Sequence, residues 1–318
     1  MPGIKTTFNK IIEFSKEYSL PGFSGVPVYD VIGFIYKEAM RDDIVTRANS
    51  VAFSFFLSLF PALIFLFTLM PMFPIAADYI TLFKSSTKDF LPSEAHNYLF
   101  SVIEGVASIK RGGLQSIGFI FAIVFSSSGM VTLMYGFNKS YERVFKKRSF
   151  LKSRMVAIFL TVLVGSIFMI SIFLIILGQP LLELAINKLN LSGYSTGVFN
   201  IFKWFIVLLV VYLGITIIYR YGSAMREKLK WWNTGAILAT IISILSSLVF
   251  SFFINSFGRY NEIYGSIGAL IVLLVWIQIN ALIVLIGFEL NAGIAVNKAD
   301  MLLKLREEEE EEEEEDYD

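Results

Sequence analysis

Six stretches of this chain contain no Asp, Glu, Lys or Arg: residues 48–77, 112–138, 155–182, 204–219, 231–258 and 263–288. A helix needs about 20 mostly apolar residues to cross the hydrocarbon core of a bilayer. Five runs exceed that length. The fourth has only 16 residues, but Lys203 at its border can carry its ammonium to the interface, so a span can begin near Phe199. Composition agrees, with 55% apolar and 17% charged residues and 31 Phe. Soluble domains carry about 25% charged residues. Transmembrane barrel strands are shorter and alternate, and neither property is present. The expectation is an all-α polytopic membrane protein with six transmembrane helices, near 48–73, 114–138, 155–180, 199–220, 232–256 and 264–291, plus amphipathic surface helices.

Basic residues set the orientation. With the N-terminus in the cytoplasm, the inner segments hold 20 Lys and Arg and the outer ones 7. The positive-inside rule then places both termini in the cytoplasm, as an even number of spans also demands. Three regions follow: a cytoplasmic segment over 1–47, a six-helix membrane domain over 48–293, and an acidic cytoplasmic tail over 294–318. The N-terminal sequence MPGIKTTFNKIIEFSKEY lacks the apolar core of a signal peptide, so the first span is expected to direct insertion itself. The tail holds an unbroken Glu307–Glu315 run, then Asp316 and Asp318. Like charges at this density repel, which predicts disorder. A sharper expectation docks the tail on the basic loop Lys139–Arg154.

Ahead of the first span, Val28, Val31, Ile32, Ile35 and Ala39 recur at helical spacing. They predict an amphipathic helix along the cytoplasmic face, against lipid headgroups or the inner loops. Within the first span, Pro61 removes one backbone donor and clashes with the carbonyl of Leu57, predicting a kink. A neighbour, water or a hydroxyl such as Ser58 must then satisfy that carbonyl. Pro71 and Pro74 mark the helix end. In the outer loop 78–111, a second surface helix is expected from Ser93, with His96, the single histidine, on it. Gly235, Ala239, Ser243, Ser247 and Ser251 fall every fourth residue, as do Gly118, Ala122 and Ser126. Such stripes suit close helix packing or a polar groove.

The last uncharged run is the most informative. Gln278 and Glu289 are eleven residues apart, which puts them within about 20° on a helix. Trp276, Asn280, Gly287 and Asn291 share a second face by the same geometry. Two polar stripes should therefore point at other helices. Glu289 falls near the inner headgroups, where Arg154 or Arg220 could pair with it. That makes it a structural salt bridge or part of a pathway.

Other chemistry has little support. With no Cys and one His, thiolate sites, disulfides and a Ser–His triad are excluded, and no cofactor or metal is expected. No Walker A, GxSxG or GxGxxG motif is present.

Several stretches resemble the YihY/virulence factor BrkB family: RANSVAFSFFLSLFP at 47–61, FNKSYERVF at 137–145, and NEIYGSIGALIVLLVWIQINALIVLIGFELNAGI at 261–294. PGFSGVPVYDVIGFIYKEAM at 21–40 is also similar. The resemblance covers residues 21 to about 300 and implies a six-helix protein of the bacterial inner membrane. It carries over Pro61, Tyr264, Gly265, Gly268, Trp276, Gly287 and Glu289 as motif positions, without a binding role. Some members are named ribonuclease BN, a label the missing nuclease chemistry does not support. The family's usual Pro-Gly is Thr234-Gly235 here, and YGSAM at 221–225 lacks a frequent proline, which bears on the inner loop's shape.

The favoured expectation is a transporter or exporter of a small solute, ion or lipid linked to the envelope. Gln278, Asn280, Glu289, Ser58 and Pro61 are its candidate substrate-binding residues. The alternatives are a membrane scaffold with envelope partners and, weakest, an enzyme. Membrane lipids are the expected partners and nucleic acid is not. No convincing repeat relates 48–182 to 199–293, which weighs against transport.

Overall fold

The computed structural model describes residues 13–16, 18–41, 44–69, 113–138, 141–189, 195–256 and 260–315. Its elements are α1 (Val28–Arg41), α2 (Ile44–Leu69), α3 (Gly113–Ser126), α4 (Ser128–Gly136), α5 (Phe150–Leu189), α6 (Ser195–Ile217), α7 (Thr234–Ser256) and α8 (Tyr260–Glu315). A π-helical turn, Ile218–Gly222, closes α6. Among the described residues, β-structure is limited to one antiparallel bridge between Phe145 and Met225. The expected outer helix with His96 lies outside the described residues.

Five helices are long and apolar enough to cross a membrane. The second uncharged run differs from its expectation as one helix. It is split at Ser127 into α3 and α4, which together hold 23 residues. α2 continues through Pro61 without interruption to Leu69. Outward faces are apolar: Phe252 is 75% exposed, Ile201 73% and Val249 69%. Such surfaces suit hydrocarbon rather than water as the surrounding solvent.

The core lies toward the end of the bundle where Arg47, Arg148, Arg154 and Arg220 cluster, here called the basic end. Phe288 of α8 is its centre, with ring centroids 4.3 Å from Phe137, 5.8 Å from Tyr219 and 6.3 Å from Phe145. Ala48 and Val51 of α2, Met130 and Met134 of α4, and Leu160 of α5 complete it. The loops at this end are stitched together. Lys146 N–H donates to the Ala224 carbonyl at 2.9 Å, and Arg226 N–H to that of Val144 at 2.8 Å. The Arg148 guanidinium donates to the carbonyls of Tyr221, Gly222 and Ser223, capping the end of the π turn. Its burial lowers its pKa from the ordinary arginine value.

α1 identifies the partner that spacing alone left open. Its Val31 and Phe34 are buried against Leu290 and Ile294 of α8. A Cβ on Gly293 would come within 2.9 Å of the Phe34 ring, so the glycine permits this contact. Ile32, expected on the apolar face, is exposed, and Phe34 takes its place.

α8 crosses the expected boundary at 293/294 unbroken and runs through Glu315. Its 56 residues span about 84 Å. The sequence predicted disorder here and docking on Lys139–Arg154; instead Glu307–Glu311 are helical and exposed. Glu is a good helix former, and extending an existing helix avoids the cost of nucleation. Within the basic loop, Lys147 pairs with Glu142 at 3.6 Å.

Candidate functional site

α8 carries two polar seams, and each faces a different helix. On the α2 side, Arg47 Nη2 lies 2.9 Å from Glu289 Oε1. Its Nη1 donates to the Gly136 carbonyl at 2.7 Å. One guanidinium thus joins α2, the C-terminal end of α4 and α8. A cation suits that position because the last carbonyls of α4 carry partial negative charge. Glu289 is fully buried, whereas the Arg47 side chain keeps 19% of its exposure. The expected partners Arg154 and Arg220 are engaged elsewhere: Arg154 with the Val124 carbonyl, Arg220 with the Leu229 carbonyl and the Trp231 ring. On the same side, Gln278 Nε2 donates to Asn49 Oδ1 at 2.6 Å.

Polar contacts continue from α2 to the helix break. The Ser58 hydroxyl donates to the Ser54 carbonyl at 2.6 Å and accepts from the Gly129 N–H at 2.9 Å. Thr132 Oγ1 and Ser54 Oγ are 3.0 Å apart. Ser58 therefore serves the backbone of α4, not the carbonyl freed by Pro61. Arg154 meets the Val124 carbonyl from the opposite flank. Side chains of α2 and α5 thus satisfy backbone groups at the interruption, as an interruption at membrane depth requires. A Cβ on Gly129 would stand 2.9 Å from the Phe55 Cα, so α4 passes close against α2. Pro61 is half-buried one turn beyond Ser58.

The α7 side is neutral and tighter. Asn291 Oδ1 accepts from the Gly235 N–H at 2.9 Å, and its Nδ2 donates to Asn233 Oδ1 at 2.8 Å. Asn233 Oδ1 also accepts from the Ala236 N–H at 2.9 Å and so caps α7. Trp276 Nε1 donates to Ser247 Oγ at 3.3 Å. A Cβ on Gly287 would lie 2.7 Å from the Gly235 carbonyl oxygen and 2.8 Å from the Ala239 Cβ. One on Gly235 would run into the Gly287 carbonyl and the Asn291 side chain. Here the every-fourth-residue stripe of α7 acts as a packing surface. Asn280 turns back to its own helix, donating to the Trp276 carbonyl at 2.9 Å.

Of the five candidate residues, the structure thus sets Glu289 and Gln278 against α2, puts Ser58 at the helix break with Pro61 a turn away, and leaves Asn280 bonded within α8. Arg47, the residue that joins three helices, was counted from sequence only as an inner basic residue. Its place directly at the head of an uncharged run was the available signal. Among the described residues, no group of three His, Cys, Asp or Glu side chains is placed to hold a metal.

A family described as virulence factor BrkB matches residues 35–313. The chain is 30% identical over 247 residues to a ribonuclease-like protein, YfkH, of Bacillus subtilis, covering 78% of this chain and 88% of that one. A UPF0761 membrane protein of Vibrio campbellii is 25% identical over 265 residues, covering 82% and 81%. The UPF0761 membrane protein IL2447 of Idiomarina loihiensis is 30% identical over 101 residues, covering 32% and 36%. No solved structure matches.

Proposed function

We propose that this chain, which belongs to the virulence factor BrkB family, is a transporter or exporter of a small solute, ion or lipid in the bacterial inner membrane. The accompanying topology has six crossings, with α3 and α4 forming the second, and both termini in the cytoplasm. One observation carries the reading: the buried Arg47–Glu289 pair closes a contact between α2 and α8 and also holds the end of the interrupted second crossing. Interrupted helices with polar support at membrane depth are a recurrent component of solute pathways. An ion pair is a suitable latch, since a charged or proton-carrying substrate can compete for either partner. Gln278, Ser58 and the Ser54–Thr132 contact give the same helix further polar positions. Pro61 lies at its outer side, and Asn280 at the back of α8.

Transbilayer flux in proteoliposomes tests this, with labelled lipids and a small ion panel. Wild type carries one of these probes, and Glu289→Gln loses at least tenfold in rate at unchanged protein content. Full flux in that variant would remove the α2–α8 contact from the pathway.

A second reading, a scaffold for envelope machinery, draws support from the exposed Glu run on the continuation of α8. It predicts that deleting 307–318 impairs function while changes at Glu289 and Gln278 do not. The ribonuclease-like name belongs to the Bacillus relative.

A further inference from the structure

At the basic end, a cleft of about 410 Å³ opens between the loop after α6, the loop before α5 and the face of α8 below Asn291. Its charged lining is Arg143, Arg226, Lys228, Lys230 and Lys298 against the single acid Glu227. Arg226 spends its Nε on the Glu142 carbonyl, and Lys228 stands 5.0 Å over the Tyr221 ring. Among the described residues, no carboxylate lies within ion-pair distance of Arg143, Lys230 or Lys298. The cleft therefore holds a surplus of positive charge that the folded chain itself leaves unneutralised.

Its depth narrows the choice of anion. Thr234, the first residue of α7 and of its membrane-crossing stretch, lines the cleft, as does Trp232. Trp232 is 80% exposed and Trp231 47%. Exposed tryptophan at the end of an apolar helix belongs at headgroup depth, where the indole can meet both acyl chain and water. The cleft thus opens at the membrane surface beside the hydrocarbon. The chain's own anionic segment is directed away: Leu302 lines the cleft, and the same unbroken helix carries Glu307 about 7.5 Å farther along its axis.

We propose that this cleft binds the phosphate-bearing headgroup of an anionic lipid, with Lys228, Lys230 and Lys298 around the phosphate and Trp232 against the glycerol and upper acyl chains. Basic pockets beside transmembrane helices bind such headgroups through charge and hydrogen bonds together. Binding here requires no transport, so it and the transport reading fail separately.

The test uses the full-length protein in nanodiscs of phosphatidylcholine containing 20% phosphatidylglycerol with brominated acyl chains, and reads quenching of tryptophan fluorescence. The comparison variants are Lys228→Gln/Lys230→Gln/Lys298→Gln in the cleft and Lys147→Gln/Lys152→Gln outside it. Matched discs whose brominated lipid is phosphatidylcholine correct for unselective contact, and Trp232→Phe identifies the reporting indole. Removing three cleft charges should weaken the selective quenching about a hundredfold in apparent affinity, roughly fivefold per charge, while the outer pair changes it less than threefold. Added inorganic phosphate at millimolar concentration should not displace the lipid. Equal effects of the two variant sets, or equal quenching by both brominated lipids, would overturn the proposal. Displacement by inorganic phosphate would overturn the lipid assignment in favour of a soluble phosphate-bearing ligand. Single Lys230→Glu serves if the triple variant loses its thermal transition, and the expectation is then a loss of at least fivefold.

Discussion

The two seams of α8 are built from the same helix and differ in kind. Against α7 the contacts are neutral and fixed: glycine to glycine, with one asparagine closing two backbone groups through a second asparagine. Against α2 they are a partly accessible ion pair and an exposed amide bond. Backbones at van der Waals contact leave no alternative arrangement at low cost. An ion pair whose arginine still reaches solvent can separate and be resolvated. The difference assigns rigidity to one side and rearrangement to the other.

Substitutions can break that contrast, and they rank by what each displaces. Gly235→Val forces a side chain into the Gly287 carbonyl, a backbone atom that cannot turn aside. The expected cost is at or above about 3 kcal/mol, the upper end for overpacking, read as loss of folded yield in detergent. Glu289→Ala leaves Arg47 without its carboxylate. It should cost about 3 kcal/mol, the low end for breaking a buried pair, because Arg47 is partly solvated; thermal unfolding in detergent measures it. Arg47→Lys, which cannot hold both Glu289 and the Gly136 carbonyl with a planar fork, should recover only part of the loss. Asn291→Ala strands the buried Gly235 N–H, at about 1–3 kcal/mol, and should lower stability without selectively lowering flux per folded molecule. Gln278→Ala removes an exposed bond and should cost about 0.5–1 kcal/mol. It sharpens the contrast if flux falls despite that small cost.

Much of this arrangement was legible in the sequence because periodicity survives folding. The two stripes of the last run meet two different helices: Gln278 and Glu289 face α2, while Trp276, Gly287 and Asn291 face α7. The partner of Glu289 was not legible. Arg47, Arg154 and Arg220 all lie at the same end, and which one reaches the carboxylate depends on how the helices are arranged around α8. The break at Ser127 was hidden for a related reason. Ser126, Ser127, Ser128 and Gly129 are compatible with a continuous apolar helix, and only Ser58 and Arg154, brought in from other helices, stabilise the interruption. Charge density misled at the tail, where a helix already formed upstream carries the Glu run onward.

The absence of native cysteine makes the most direct measurement clean. Asn49→Cys/Gln278→Cys would be bridged by a short thiol cross-linker across the α2 seam, and Ser247→Cys/Trp276→Cys across the α7 seam. Flux in proteoliposomes is then compared before and after bridging. The account predicts that locking α2 to α8 stops flux, that releasing the bridge restores it, and that locking α7 to α8 leaves the rate within twofold. Undiminished flux with α2 locked, or equal loss from both bridges, would contradict it.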